Sequence, residues 1–230
     1  DDNILQKYFI NIIYLYIKEL GEEPTLLEIQ KKFNLLIDLF RLKKSIKKNL
    51  VQGLFGELCI ISISSNANYL IKSWHTSPND KYDFNDGHEK LEVKTTDNLE
   101  RIHSFSMNQT NSFDKTVIIA SVITTQTDMG LSVFDLVKKI QCKLIEDSMN
   151  QKLNEIILKT LGSDFKGASR YFFDYKQAIE SIKYYNSQDI PMILSSDLDS
   201  RISRVKYDCK IEGIKEMKLK VKSKLQALLI

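Results

Sequence analysis

Asp83 and the run Glu92-Val93-Lys94 carry the residue types of a divalent-cation site. In an extended strand successive side chains alternate between faces, so Glu92 and Lys94 share one face, about 6.6 Å apart, while Val93 points to the other. Asn85-Asp86-Gly87, between the two acids, is a hairpin turn signal. A two-residue turn at Asp86-Gly87 sets position 83 opposite 90, and a four-residue loop over 86–89 sets it opposite 92. Both put Asp83 on the face of Glu92 and Lys94, whereas a three-residue loop without a bulge sends it to the other face. Two carboxylates and the Val93 carbonyl then form an oxygen-only donor set, which suits Mg²⁺ with Mn²⁺ able to substitute, and which leaves room for water and a phosphate. Lys94 is placed to orient or deprotonate the attacking water and to offset charge on a phosphorane-like transition state. Glu57 adds a third carboxylate from the preceding segment. The same spacing occurs in any strand with one solvated face of mixed charge, so the surrounding elements must decide between the two readings.

Those elements belong to a chain of 230 residues, 43% hydrophobic and 27% charged, with only eight Gly and three Pro. This composition supports one principal core and excludes a disordered or collagenous chain. No apolar run approaches 18 residues, so neither a membrane span nor a secretory signal is expected. Cys59, Cys142 and Cys209 are odd in number and widely spaced. They read as reduced thiols of a cytoplasmic protein rather than as a disulfide framework or a zinc site. The chain starts at Asp1 without a methionine, which leaves room for a preceding segment. It contains no GxSxG, no P-loop and no GxGxxG, hence no serine nucleophile elbow and no nucleotide-driven motor of its own.

Periodicity predicts a helix over Asn3–Leu20 ending at Gly21, and a second from a Thr25-x-x-Glu28 capping box to about Leu42, the two forming an N-terminal hairpin. A helix follows over 51–64, where Gly53 and Gly56 are tolerated if the helix packs closely against a sheet. Strands are expected at Tyr69–His75, Lys81–Phe84 and Lys90–Thr96, with a short helix near Ser106–Gln109. Thr116–Thr124 is almost continuously apolar and β-branched, as a buried central strand should be. Helices are predicted at Ser132–Leu144, Asp147–Leu161 and Gln177–Tyr185, and further short segments at Tyr171–Phe173, Met192–Leu194 and Ile202–Ile211.

This order of elements, and the stretches QGLFGELCI with Glu57, Trp74, YDF with Asp83, LEVKTT with Glu92 and Lys94, and RIHSFSMNQT with Gln109, resemble the PD-(D/E)xK nuclease superfamily. The nearest likeness is to a bacterial family of uncharacterised members found beside restriction and phage-defence genes. The resemblance covers about residues 51–211. It implies an α/β restriction-endonuclease-like fold, an αβββαβ core of mixed sheet flanked by helices, with an N-terminal helical hairpin and a C-terminal α/β extension. The corresponding division is 1–50 for the hairpin, 51–211 for the nuclease core and 212–230 for a basic tail. The resemblance further implies Asp83 and Glu92 as metal ligands, Lys94 as the catalytic lysine, and Glu57 and Gln109 as auxiliary site residues. The superfamily's proline before its aspartate is absent, since Tyr82 precedes Asp83. Pro78-Asn79-Asp80 therefore makes Asp80 a rival ligand, while Asp86 is better explained by the turn.

Charge locates the expected partner. Residues 201–230 hold nine basic and three acidic residues, which leaves residues 1–200 net acidic. Lys218, Lys220, Lys222 and Lys224 alternate with other residues and would line one face of a strand. Arg41, Lys43, Lys44, Lys47 and Lys48 form a second basic cluster without an acid. Both are candidate phosphate-backbone contacts, and both are also ordinary solvated faces. His103 is a candidate phosphate contact or a hydrogen-bonded structural residue; His75 and His88 share no metal-ligand spacing. The expected function is a Mg²⁺-dependent endonuclease acting on DNA in bacterial restriction or phage defence, alone, as a homodimer or with other defence proteins. The alternative is a nucleic-acid-binding module that keeps the fold but is non-catalytic or depends on a partner.

Overall fold

A computed structural model describes residues 3–41, 47–75, 80–112, 116–162 and 165–219. Helix α1 spans Asn3–Leu20 and α2 spans Leu26–Arg41. The expected capping box opens α2: Glu28 Oε2 accepts from the Thr25 N–H at 2.9 Å, and the Glu28 N–H donates to Thr25 Oγ1 at 3.3 Å. Ile12 and Tyr16 of α1 are buried in the main core.

A four-stranded mixed sheet organises the rest, with β1 (Phe84–Asn85), β2 (Lys90–Thr96), β4 (Val117–Ile123) and β6 (Lys183–Asn186) in that spatial order. β1 runs antiparallel to β2, β2 parallel to β4, and β4 antiparallel to β6. β3 (Ile102–Ser106) pairs separately with β7 (Lys206–Lys210). Every residue of β4 is buried, and its side chains divide by parity. Ile118, Ala120 and Val122 join the main core, whereas Val117 and Ile119 join a smaller core with Tyr82, Phe105, Tyr185 and Cys209. The main core lies under α3 (Lys48–Ile63), α4 (Ala67–Ser73), α6 (Val133–Gln141), α7 (Asp147–Leu161) and α8 (Tyr175–Glu180). The β3–β7 pair, through Phe105 and Cys209, covers the other face.

The two glycines of α3 have different roles. A Cβ on Gly56 would lie 2.2 Å from Thr95 Cγ2 of β2, so helix and sheet approach closely here. A Cβ on Gly53 would meet nothing within 4 Å, and the expected close packing does not apply there.

Several expected elements are corrected. Tyr69–His75 is not a strand: Asn66 Oδ1 accepts from the Tyr69 N–H at 3.0 Å as an N-cap, and Ala67, Leu70 and Ile71 bury at helical spacing. Only Trp74, just past α4, bridges Phe84 as a first meander strand would. The helix expected at Gln177–Tyr185 stops at Ser181, whose hydroxyl donates to the Ala178 carbonyl at 2.8 Å and accepts from the Ile123 N–H at 2.9 Å. Tyr184 and Tyr185 then continue as β6, one facing each core. Residues 102–106 are a strand that precedes α5 (Met107–Thr110), and Gln126–Leu131 forms a further strand, β5. Met192–Leu194 forms no regular element, Tyr171–Phe173 contributes isolated bridges from Phe173, and Ile202–Ile211 shortens to β7.

Candidate active site

The β1–β2 hairpin sets the register of the acidic pair. Phe84 pairs with Leu91 and Asn85 with Lys90, so the connection is the four-residue loop 86–89 and Asp83 falls opposite Glu92. Asp86 builds that loop, its Oδ1 accepting from the His88 and Glu89 N–H groups at 2.8 Å each. Gly87 takes φ +89°, which a side chain would resist. The Asp86 carboxylate is held in turn chemistry and by the Tyr69 hydroxyl at 2.8 Å, so it is committed to structure.

Glu92 and Lys94 project from the face opposite Leu91 and Val93, which lie in the main core. Glu92 is 6% exposed, and its Oε1 is 2.8 Å from Lys94 Nζ. Lys94 also donates to Gln109 Oε1 at 3.3 Å, and its ammonium sits 5.2 Å from the centre of the Phe105 ring. Gln109 reaches it because Ser106 caps α5, its Oγ accepting from the Gln109 N–H. Asp83 Oδ2 accepts from the Val93 N–H at 2.7 Å. Burial pushes the Asp83 carboxyl well above the usual carboxylate range, and the negative charges of Glu92 and Glu57 add to that; the Val93 N–H and Lys94 oppose it only in part. Asp80, the rival ligand, places its charge near Lys152.

Glu57 enters from α3. Its Oε2 accepts from Trp74 Nε1 at 2.6 Å and lies 3.0 Å from His75 Nε2. Glu57, His75 and Asp83, all partly buried, each offer one donor atom within 4.8 Å of the others. Sequence reasoning passed over His75, because its neighbours in space come from α3 and from the strand after it, and no histidine spacing marks them. The only hint was its place beside Trp74 in the stretch that carried the resemblance.

The other sequence candidates are not among the three residues of that group. His103 is 2% exposed, with Nε2 2.7 Å from Ser121 Oγ, and burial lowers its pKa to about 4. His103 nonetheless lines the polar cleft beside Lys94. This cleft of 340 Å³ is lined also by Asn49, Gln52, Thr96 and Asp97. Lys48 stands at its margin, paired with Asp97 at 3.0 Å, and Lys47 is exposed just before α3. Lys218 is exposed next to Met217, whose N–H donates to Tyr184 of β6. That is the sheet edge away from Asp83, about 14 Å across at three strand spacings. Lys43, Lys44, Lys220, Lys222 and Lys224 lie outside the described residues. No helix among the described residues is long and apolar enough to cross a membrane.

No curated protein and no solved structure matches the chain. A family model described as "Putative PD-(D/E)XK family member (DUF4420)" matches residues 2–212. That match takes in α1, α2, the mixed sheet and every residue of the acidic cluster, and the chain belongs to this family.

Proposed function

We propose that the protein is a nuclease that hydrolyses phosphodiester bonds with a divalent cation, Mg²⁺ or Mn²⁺, held by Asp83, Glu92 and the Val93 carbonyl, with Glu57 alongside. The observation that carries this reading is the grouping of Asp83, Glu92 and Lys94 on one face of the β1–β2 hairpin, with Gln109 holding the lysine. The donor set fits the ion. Asp83 is crowded by two like charges in a buried setting, and a bound cation would relieve a repulsion that Lys94 offsets only in part. When bound, such an ion polarises the phosphoryl oxygens and lowers the pKa of water. Glu92 holds the Lys94 ammonium at the site, where it can orient the attacking water and take up transition-state charge. Gln109 keeps that ammonium from swinging away.

DNA is the proposed substrate, and defence against foreign DNA the proposed setting, the latter on the sequence resemblance alone. Plasmid DNA incubated with the purified protein should be nicked or linearised in Mg²⁺ or Mn²⁺ and left intact in EDTA. Binding without cleavage in both ions would overturn the reading in favour of a non-catalytic module. Cleavage of RNA alone would keep the chemistry and change the substrate.

The basic clusters are proposed to hold the phosphate backbone, since a face lined by carboxylates repels DNA. Changing Lys43, Lys44, Lys47 and Lys48 together to Gln should weaken binding to all duplex sequences alike. The slope of log affinity against log salt should flatten by about 0.9 for each phosphate that no longer has a lysine partner. The same experiment on Lys218, Lys220, Lys222 and Lys224, run in Ca²⁺ to allow binding with little cleavage, tests the far sheet edge. An unchanged slope would make either cluster a solvated surface.

A further inference from the structure

The proposed function gives His75 no role, yet three separate restraints hold it beside Asp83. Its backbone N–H donates to the Asp83 carbonyl at 2.9 Å. Its φ of +42° lies in the left-handed region, which a non-glycine residue occupies only when its surroundings impose it. The preceding Trp74 is fixed by its bridge to Phe84, by ring stacking on Phe84 with an interplanar angle of 17°, and by its bond to Glu57. The imidazole therefore sits with Nε2 at Glu57 Oε2 and within reach of Asp83. Two donors on one ion with bonds of about 2.1 Å stand about 3.0 Å apart when cis and about 4.2 Å when trans. Separations within 4.8 Å close onto a cation with shifts below about 1 Å.

We propose that His75 is a nitrogen ligand of the site's cation, shared with Asp83 and Glu57, and that this makes Mn²⁺ rather than Mg²⁺ the ion the protein holds more tightly. The proposal rests on the reading of this cluster as a metal centre. Mg²⁺ prefers an all-oxygen shell and keeps its waters, whereas first-row ions accept imidazole. A donor set of one nitrogen and several carboxylate oxygens suits Mn²⁺, because ions that bind nitrogen more strongly favour sites richer in nitrogen or sulfur.

The test uses the whole chain with Mn²⁺ or Mg²⁺ alone, read by calorimetric competition and by the electron spin-echo spectrum of bound Mn²⁺. Wild type should bind Mn²⁺ about ten-fold or more tightly than Mg²⁺ and show imidazole ¹⁴N coupling. His75→Ala should lose the coupling and about ten-fold in Mn²⁺ affinity, with Mg²⁺ affinity changed little. His75→Asn tolerates the left-handed backbone and offers an oxygen, so it guards against a folding failure; its preference should shift toward Mg²⁺. Mn²⁺ bound to wild type without ¹⁴N coupling, or bound equally well by both variants, would overturn the ligand role and leave the metal centre standing. Wild type binding neither ion would overturn the metal centre itself, and this proposal with it.

Discussion

Lys94→Ala should lower phosphodiester cleavage by about 10²–10³-fold or more while leaving divalent-cation binding intact, because it removes a transition-state group and no ligand. The sign on binding follows from Glu92. That carboxylate is 6% exposed and its Lys94 partner lies at 2.8 Å, so without the lysine a buried negative charge stands unpaired. A cation is then held at least as tightly as before. Asp83→Asn should behave differently, losing both cleavage and cation affinity. It removes charge from the carboxylate whose environment most demands a positive neighbour. Lys94→Met keeps the apolar stem over the Phe105 ring and separates loss of charge from loss of packing. Calorimetric Mn²⁺ titration beside a cleavage assay checks all three variants. Loss of binding in Lys94→Ala with retention in Asp83→Asn would reverse the roles.

Gly56→Ala should destabilise the fold by about 1–3 kcal/mol and lower Tm by several degrees, although alanine is the better helix former by about 1 kcal/mol. The clash decides the sign, since the added Cβ would sit 2.2 Å from Thr95 Cγ2 where α3 packs on β2. Thr95→Ser deletes that methyl group and should rescue Gly56→Ala in a double-mutant cycle. Gly53→Ala is the control: its Cβ meets open space, so it should stabilise by about 0.5–1 kcal/mol. The effect of Gly56→Ala on cleavage should exceed its effect on stability. Glu57 follows Gly56 on the helix and Lys94 precedes Thr95 on the strand, so pushing the two elements apart moves the site's groups with them. Thermal denaturation and specific activity of wild type and the four variants test this. A Gly56→Ala protein as stable as Gly53→Ala would show that the helix–sheet approach yields freely.

The parts of this site that could be read from residues alone are those governed by local rules. The face shared by Glu92 and Lys94 follows from strand alternation, and the turn residues limited Asp83 to registers of which the structure realises the four-residue loop. The capping box at Thr25 and the helix Asp147–Leu161 were likewise written locally. What escaped depends on partners distant in sequence. β3 is a strand because it pairs with β7 about 100 residues later. Its polar alternation reads as a loop until Phe105 and His103 are seen to face inward. In Tyr69–His75, aromatic and branched residues outweighed an Asn66 cap that only the folded chain makes evident. His75 joins Glu57 and Asp83 through a positive φ at the exit of a short helix, and no residue spacing encodes that convergence.

Asp83 and Glu92 are proposed to hold one cation beside Lys94. A crystal of the protein grown with Mn²⁺, with anomalous scattering collected at a wavelength that makes manganese visible, tests it in one measurement. An anomalous peak is expected within coordinating distance, about 2.2 Å, of oxygens from both Asp83 and Glu92. A peak at Asp80 or elsewhere, with Asp83 and Glu92 bare, would contradict it.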